Sequence, residues 1–135
     1  MRVKCVVDTN VLISAALSKG APFLILEHLI KNNALIFSKE TISELSSRIT
    51  QSKFDKYVSA EDHEAYVNNL ILSDDLVIID NLIQGCRDRD DDKFLETAVK
   101  GDARVIISGD QDLLTMHRFE GIDIVTVQEF AVYTV

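Results

Sequence analysis

The sequence has no tryptophan, a single proline, five glycines and only two cysteines. So little proline and glycine excludes collagen-like and linker-like chains. Cys5 and Cys86 are far apart and lack metal-type spacing, which excludes a disulfide framework and a thiolate zinc site. No apolar run reaches the roughly 18 residues of a membrane span. Arg2 and Val3 lead straight into an apolar strand with no signal-peptide pattern, so the expectation is a cytoplasmic protein with free thiols and no membrane partner. Cations are also scarce, 14 Lys and Arg against 22 Asp and Glu, for a net charge of -8. That balance argues against a protein that coats nucleic acid through a broad basic face. It does not exclude nucleic acid as a substrate, because acids gathered around a metal ion lower the net charge without repelling a phosphate from that pocket.

What the chain does have is short apolar runs alternating with helix-compatible segments, over a length that suits one domain, residues 1–135. Val3 to Val7 reads as a buried strand that stops at Asp8-Thr9-Asn10. Val11 to Leu17 suits a helix. Pro22 opens another, which runs to about Lys31 and ends at Asn32-Asn33. Ala34 to Phe37 is a second strand. Ser38 starts a helix with Ile42, Leu45 and Ile49 on one stripe. A further helix is expected from about Ala60 to Leu72, then a third strand over Leu76 to Ile79. Lys93 to Lys100 is a helix stopped by Gly101. Ala103 to Ile107 is a fourth strand, and a short helix follows at Leu113. Asp123 to Val125 is a fifth strand, and Thr126 to Glu129 has capping-box spacing for a last helix. Strands alternating with helices predict an α/β fold with a mostly parallel sheet.

In such sheets ligands bind beyond the carboxyl ends of the strands. Right-handed crossovers bring helix starts to that same edge. Asp8 ends strand one, and Glu44 lies near the start of the helix after strand two. Asp92 opens the helix before strand four, with Asp90 and Asp91 beside it. Asp110 follows strand four, with Asp112 two residues on. Four carboxylates at one edge repel each other unless a cation sits among them. Oxygen ligands without His or Cys suit Mg²⁺ or Mn²⁺. Such ions support in-line displacement at a phosphodiester. His28, His63 and His117 fall away from the edge, so no Ser–His or Cys–His nucleophile competes.

At these residues the chain resembles the PIN-domain family of metal-dependent nucleases. The resemblance rests on Val6-Val7-Asp8-Thr9-Asn10, on the helix carrying Glu44, on Arg87 to Ala98 and on Val105 to Leu114, in that order. It is strongest for the prokaryotic branch of toxins from toxin–antitoxin pairs. It implies a three-layer α/β sandwich around a five-stranded parallel sheet of order 3-2-1-4-5. It also implies Mg²⁺- or Mn²⁺-dependent cleavage of single-stranded RNA, an antitoxin protein as partner, and Asp8, Glu44, Asp92 and Asp110 as catalytic, metal-binding acids. Asp112 is a fifth candidate. Asn10 and Ser108 look like the residues that orient the acids, and Thr9 is a further support. Asp88, Asp90, Asp91 and Asp92 crowd one loop, so the third ligand stays open. Asp92 has the better offset to Phe94-Leu95 and Ala98, and Asp91 is the fallback. Glu96 replaces a usually small residue and is either a solvated helix residue or a further ligand.

Each acid also has a purely structural reading. Asp110 can cap a helix. Asp90, Asp91 and Asp92 can favour the positive end of a helix dipole. Thr41 to Glu44 fits a capping box. Arg87, Arg89, Lys39, Arg48, Lys53 and Lys56 can be a phosphate-guiding rim or scattered surface cations. An edge strand or the Ala60-to-Leu72 helix offers a surface for a homodimer. A non-catalytic RNA- or protein-binding module on the same fold is the second functional reading. An aspartate-based phosphatase is the third, and it is disfavoured because position ten is Asn10 where such enzymes want a second acid.

Overall fold

A computed structural model describes residues 3–17, 20–49, 60–73, 75–80 and 91–133. In chain order the elements are β1 (Cys5–Val7), α1 (Thr9–Leu17), α2 (Ala21–Lys31), β2 (Ile36–Ser38), α3 (Lys39–Ile49), α4 (Ala60–Ser73) and β3 (Asp75–Val77). Then follow α5 (Asp92–Lys100), β4 (Val105–Ile107), α6 (Gln111–Leu114), β5 (Arg118–Phe119), β6 (Ile122–Val125) and α7 (Val127–Tyr133). The expected rim residues Arg87, Arg89, Lys53 and Lys56, the loop acids Asp88 and Asp90, and Cys86 lie outside the described residues.

β1, β4, β6 and β5 form a sheet in that order, and β2 and β3 form a two-stranded piece. β1 and β6 each run parallel to β4, with Val6 opposite Ile106 and Ile106 opposite Ile124. The two pieces meet at a parallel bridge between Cys5 and Leu35. There the Cys5 N–H donates to the Ala34 carbonyl at 2.7 Å. This departs from one continuous five-stranded parallel sheet. The added strand is β5, antiparallel to β6. It exists because Glu120 (φ 47°) and Gly121 (φ 82°) reverse the chain between the two strands. Left-handed backbone at both positions is what a tight hairpin needs.

Alternation along the strands explains why β1 and β4 are apolar throughout. Cys5, Val7, Leu35, Phe37, Val105, Ile107 and Val125 enter one core, shared with buried residues of α1, α2, α3, α4 and α7. Val6, Ile36, Ile106, Ile122 and Ile124 enter a second core with Phe94, Leu95 and Ala98 of α5 and Leu113 of α6. Both faces of the sheet are therefore covered, which gives helix, sheet and helix layers. Tyr66 ties α4 to α1 by donating its hydroxyl to the Leu12 carbonyl at 2.7 Å.

Helix ends follow their caps. Pro22 sits in the first turn of α2. At α7, Thr126 N–H donates to Glu129 Oε1 at 3.0 Å and Glu129 N–H to Thr126 Oγ1 at 3.1 Å, a complete capping box. Gly101 ends α5, but the left-handed backbone falls one residue later, at Asp102 (φ 55°). What requires glycine at 101 is close approach: a Cβ there would lie 2.6 Å from Ile36 Cγ2. Among the described residues no single helix is long and apolar enough to cross a membrane.

Candidate metal centre and active site

The chain leaves β1 toward β2 on one side, and leaves β4 toward β6 on the other. The crevice between the carboxyl ends of β1 and β4 is thus the switch point at which ligands bind in such sheets. Asp8 sits there. Its N–H donates to the Ile107 carbonyl at 2.9 Å, continuing the β1–β4 ladder. Its carbonyl accepts from Val11 N–H (3.0 Å) and Leu12 N–H (3.1 Å), starting α1. The backbone pivots at this residue, and only 4% of it is exposed.

Ser108, just past β4, is 1% exposed. Its hydroxyl donates to Asp8 Oδ2 at 2.7 Å and accepts from Asp110 N–H at 2.9 Å. One hydroxyl therefore joins the two acids. Burial pushes the Asp8 carboxyl above the usual carboxylate range. The Ser108 hydroxyl and the Asn10 N–H oppose that push, while the nearby Asp110 and Glu44 charges add to it.

Asp110 is the N-cap of α6, where its Oδ1 accepts from Asp112 N–H at 2.9 Å. Asp91 is the N-cap position of α5, yet its side chain makes no capping bond to that helix. One carboxylate oxygen from each of Asp91, Asp110 and Asp112 lies within 4.8 Å of the others. Three carboxylates at that spacing fit a cation, and all-oxygen donors without His or Cys suit a hard divalent ion. The expectation ranked Asp92 ahead of Asp91. Asp92 is buried beside the cluster, but Asp91 is the member. Adjacent positions at a helix start point about 100° apart, so the two acids cannot face the same way.

Glu44 lies apart from that trio. The helix α3 is capped at Ser38, three residues earlier than a Thr41–Glu44 box would require. Ser38 N–H donates to Thr41 Oγ1 at 3.0 Å, and Thr41 N–H to Ser38 Oγ at 3.2 Å. Glu44 is thereby left to reach across the edge. Its Oε1 lies 2.8 Å from Lys93 Nζ and 3.3 Å from an Arg48 nitrogen, and its Oε2 accepts from the Thr9 hydroxyl. The Thr9 side chain thus holds Glu44 and not Asp8. Asn10 serves Asp8 through its backbone, while its side-chain oxygen lies 3.5 Å from Arg48. Lys93 is a site residue with no expected role from sequence. The signal was its place between Asp92 and Phe94, at a helix start on the acidic edge.

Glu96 is not a solvated helix residue: it is 1% exposed, and its carboxylate accepts from the Asp80 N–H just past β3. On the β4–β6 side the acids border a cleft of about 420 Å³. Asn10, Ser14, Pro22, Gln111, Thr126 and Gln128 contribute to a lining that is neutral apart from Asp110.

The chain is also similar to known proteins. A family model described as PIN domain matches residues 4–112. The Methanocaldococcus jannaschii protein MJ1680 is 31% identical over 119 residues, covering 86% of this chain and 76% of that protein. Among solved structures, PAE2754 from Pyrobaculum aerophilum is similar with a TM-score of 0.65 at 15% identity, over 97% of this chain and 88% of that one. VapBC2 from Rickettsia felis, bound to a DNA fragment from its promoter, is similar with a TM-score of 0.62 at 16% identity, over 90% of this chain and 97% of that one. The two structures speak to the fold, and the family model to descent: the chain belongs to the PIN-domain family.

Proposed function

We propose that the protein is a divalent-metal-dependent endoribonuclease that hydrolyses phosphodiester bonds of single-stranded RNA in the cytoplasm. We further propose that it acts as the toxin of a toxin–antitoxin pair, with an antitoxin protein as its partner. The observation that carries the nuclease reading is the meeting of Asp91, Asp110 and Asp112 within 4.8 Å, with Asp8 buried behind them on Ser108. The partner reading draws support from the similarity to VapBC2.

Asp91, Asp110 and Asp112 would hold Mg²⁺ or Mn²⁺, with Asp8 as the inner acid and Asp92 and Glu44 at the flanks. Held there, such an ion would supply water activation and charge stabilisation at a phosphate. The chain's own residues do the positioning. The Ser108 hydroxyl orients Asp8 and fixes the Asp110 backbone at the same time. The capping bond to Asp112 N–H holds one Asp110 oxygen in place. Sheet and helices bury Asp8 away from bulk water, which strengthens its attraction for a cation. The Ser108 hydroxyl is engaged by Asp8 and the Asp110 N–H, and in the proposed hydrolysis the attacking group is water.

Purified protein with Mn²⁺ should cut single-stranded RNA, and Asp8→Asn should not. Equal cleavage by both proteins would overturn the reading, since a contaminating nuclease would then explain the signal.

A further inference from the structure

An edge that gathers this many acids must still accept a polyanion. A metal ion compensates the scissile phosphate, but the neighbouring phosphates of the strand meet the protein alone. Two cations are built into the flank of the site. Lys93 stands at the start of α5, next to Asp92, and Arg48 stands on α3 beside Asn10. Both converge on Glu44, Lys93 at 2.8 Å and Arg48 at 3.3 Å. The two cations outnumber the one carboxylate that they share. Glu44 is in turn fixed by the Thr9 hydroxyl, so neither cation dangles.

The donors are suited to a phosphate. An ammonium carries three N–H donors and a guanidinium five, so a single carboxylate cannot use them all. Lys93 is 20% exposed and Arg48 is 41% exposed at the side chain, enough for a backbone oxygen to reach both. The cations occupy the β2 side of the acids, and the neutral cleft occupies the β4–β6 side. Asn10 joins the two, since it lines the cleft and its side-chain oxygen lies 3.5 Å from Arg48.

On the reading of this site as a ribonuclease centre, we propose that Lys93 and Arg48 form a clamp for a backbone phosphate next to the scissile one, with Glu44 as the positioning residue that holds the clamp together. The clamp touches no base, so it contributes affinity uniformly across RNA sequences.

The test measures binding apart from cleavage. Asp8→Asn protein is titrated with a fluorescent single-stranded RNA oligonucleotide in Mn²⁺, at a series of KCl concentrations, by anisotropy. Lys93→Met, Arg48→Met and the double substitution are placed in the same background. Removing one cation from a phosphate should flatten the slope of log Kd against log salt by about 0.7. Lys93→Arg should keep the slope. Mn²⁺ titration by calorimetry should give an affinity no weaker than that of the parent, because removing a cation cannot harm a cation site. Unchanged slopes overturn the clamp, as does an absence of RNA binding by the parent at low salt. If wild-type protein cleaves RNA but the slopes do not move, the clamp alone fails. If the slopes flatten as expected but wild-type protein never cleaves, the ribonuclease reading fails and the clamp stands.

Discussion

Replacing Ser108 with alanine removes the one hydroxyl shared by Asp8 and Asp110. In the wild type that hydroxyl donates to Asp8 Oδ2 at 2.7 Å, and Ser108 and Asp8 are both almost fully buried. A hydrogen bond to an ionised group contributes about 1.5–3 kcal/mol, and one to a neutral group about 0.5–1.5 kcal/mol. The metal-free Ser108→Ala protein should therefore lose about 1.5–3 kcal/mol where Asp8 is ionised. The loss should shrink toward about 0.5–1.5 kcal/mol where Asp8 is protonated. The sign follows from linkage. Ser108 lowers the Asp8 pKa, so its removal raises the folded-state value further. The mutant then binds a proton more readily when folded, and its deficit grows as pH rises through the wild-type folded pKa. The assay is urea unfolding in a chelator across that range, followed by far-UV circular dichroism, since the chain has no tryptophan to report. A deficit below about 0.5 kcal/mol, or one independent of pH, would refute the reasoning.

Asp8→Asn should act in the opposite direction on the metal-free fold. The folded Asp8 pKa is raised, so wild-type stability falls as pH climbs from about 3.9 through the folded value, and the cost is complete above it. Asn at that position removes the slope, and thermal melts at neutral pH in chelator should place Asp8→Asn above wild type; a lower melting point rejects it. For the cation, Asp91→Asn should weaken Mn²⁺ binding by about tenfold or more, the range known for outer-shell partners, and more than Asp92→Asn does. Calorimetry that ranks the two the other way would return the third ligand to Asp92. Gly101→Ala should cost about 1–3 kcal/mol by overpacking, because the new methyl meets Ile36 at 2.6 Å. A neutral effect in urea unfolding would mean that β2 and α5 can part more easily than the packing indicates.

The layers of the fold were legible because the central strands β1 and β4 are buried on both faces. Val6 feeds one core, while Cys5 and Val7 feed the other, so the strand reads as a continuous apolar run. β5 was not legible, because two residues carry no period, and Arg118 is exposed there. The cue that was present is Gly121 directly between the polar Glu120 and Ile122 of β6. The edge on which the acids would gather followed from handedness and strand order alone. Their partners did not. Glu44 looked like a capping residue because Thr41 precedes it at the right spacing, but Ser38 takes that role with Thr41. Glu96 looked solvated because helix periodicity sees only its own helix, and the Asp80 N–H from which it accepts lies past the end of β3. Asp91 and Asp92 could not be told apart by offset, because which carboxylate faces α6 depends on where α5 begins.

The charge arrangement at the edge separates two problems that a count of acids merges. Asp91, Asp110 and Asp112 crowd carboxylate oxygens into one space within 4.8 Å. Their repulsion is lessened by helix starts, since Asp91 stands at the head of α5 and Asp110 at the head of α6, where backbone N–H groups point outward. What repulsion remains favours a proton or a cation. Glu44 is in the reverse position, with two cations and a hydroxyl already on its carboxylate. To ligate an ion as well, it would have to give up contacts whose loss strands Lys93, a partly buried charge, beside the same ion. The same residue type on the same edge therefore divides into acids whose crowding attracts a cation from solution and one that is supplied with cations by the chain. On that division the proposed metal would be held by the first group, and Glu44 would act on the proposed RNA strand only through Lys93 and Arg48.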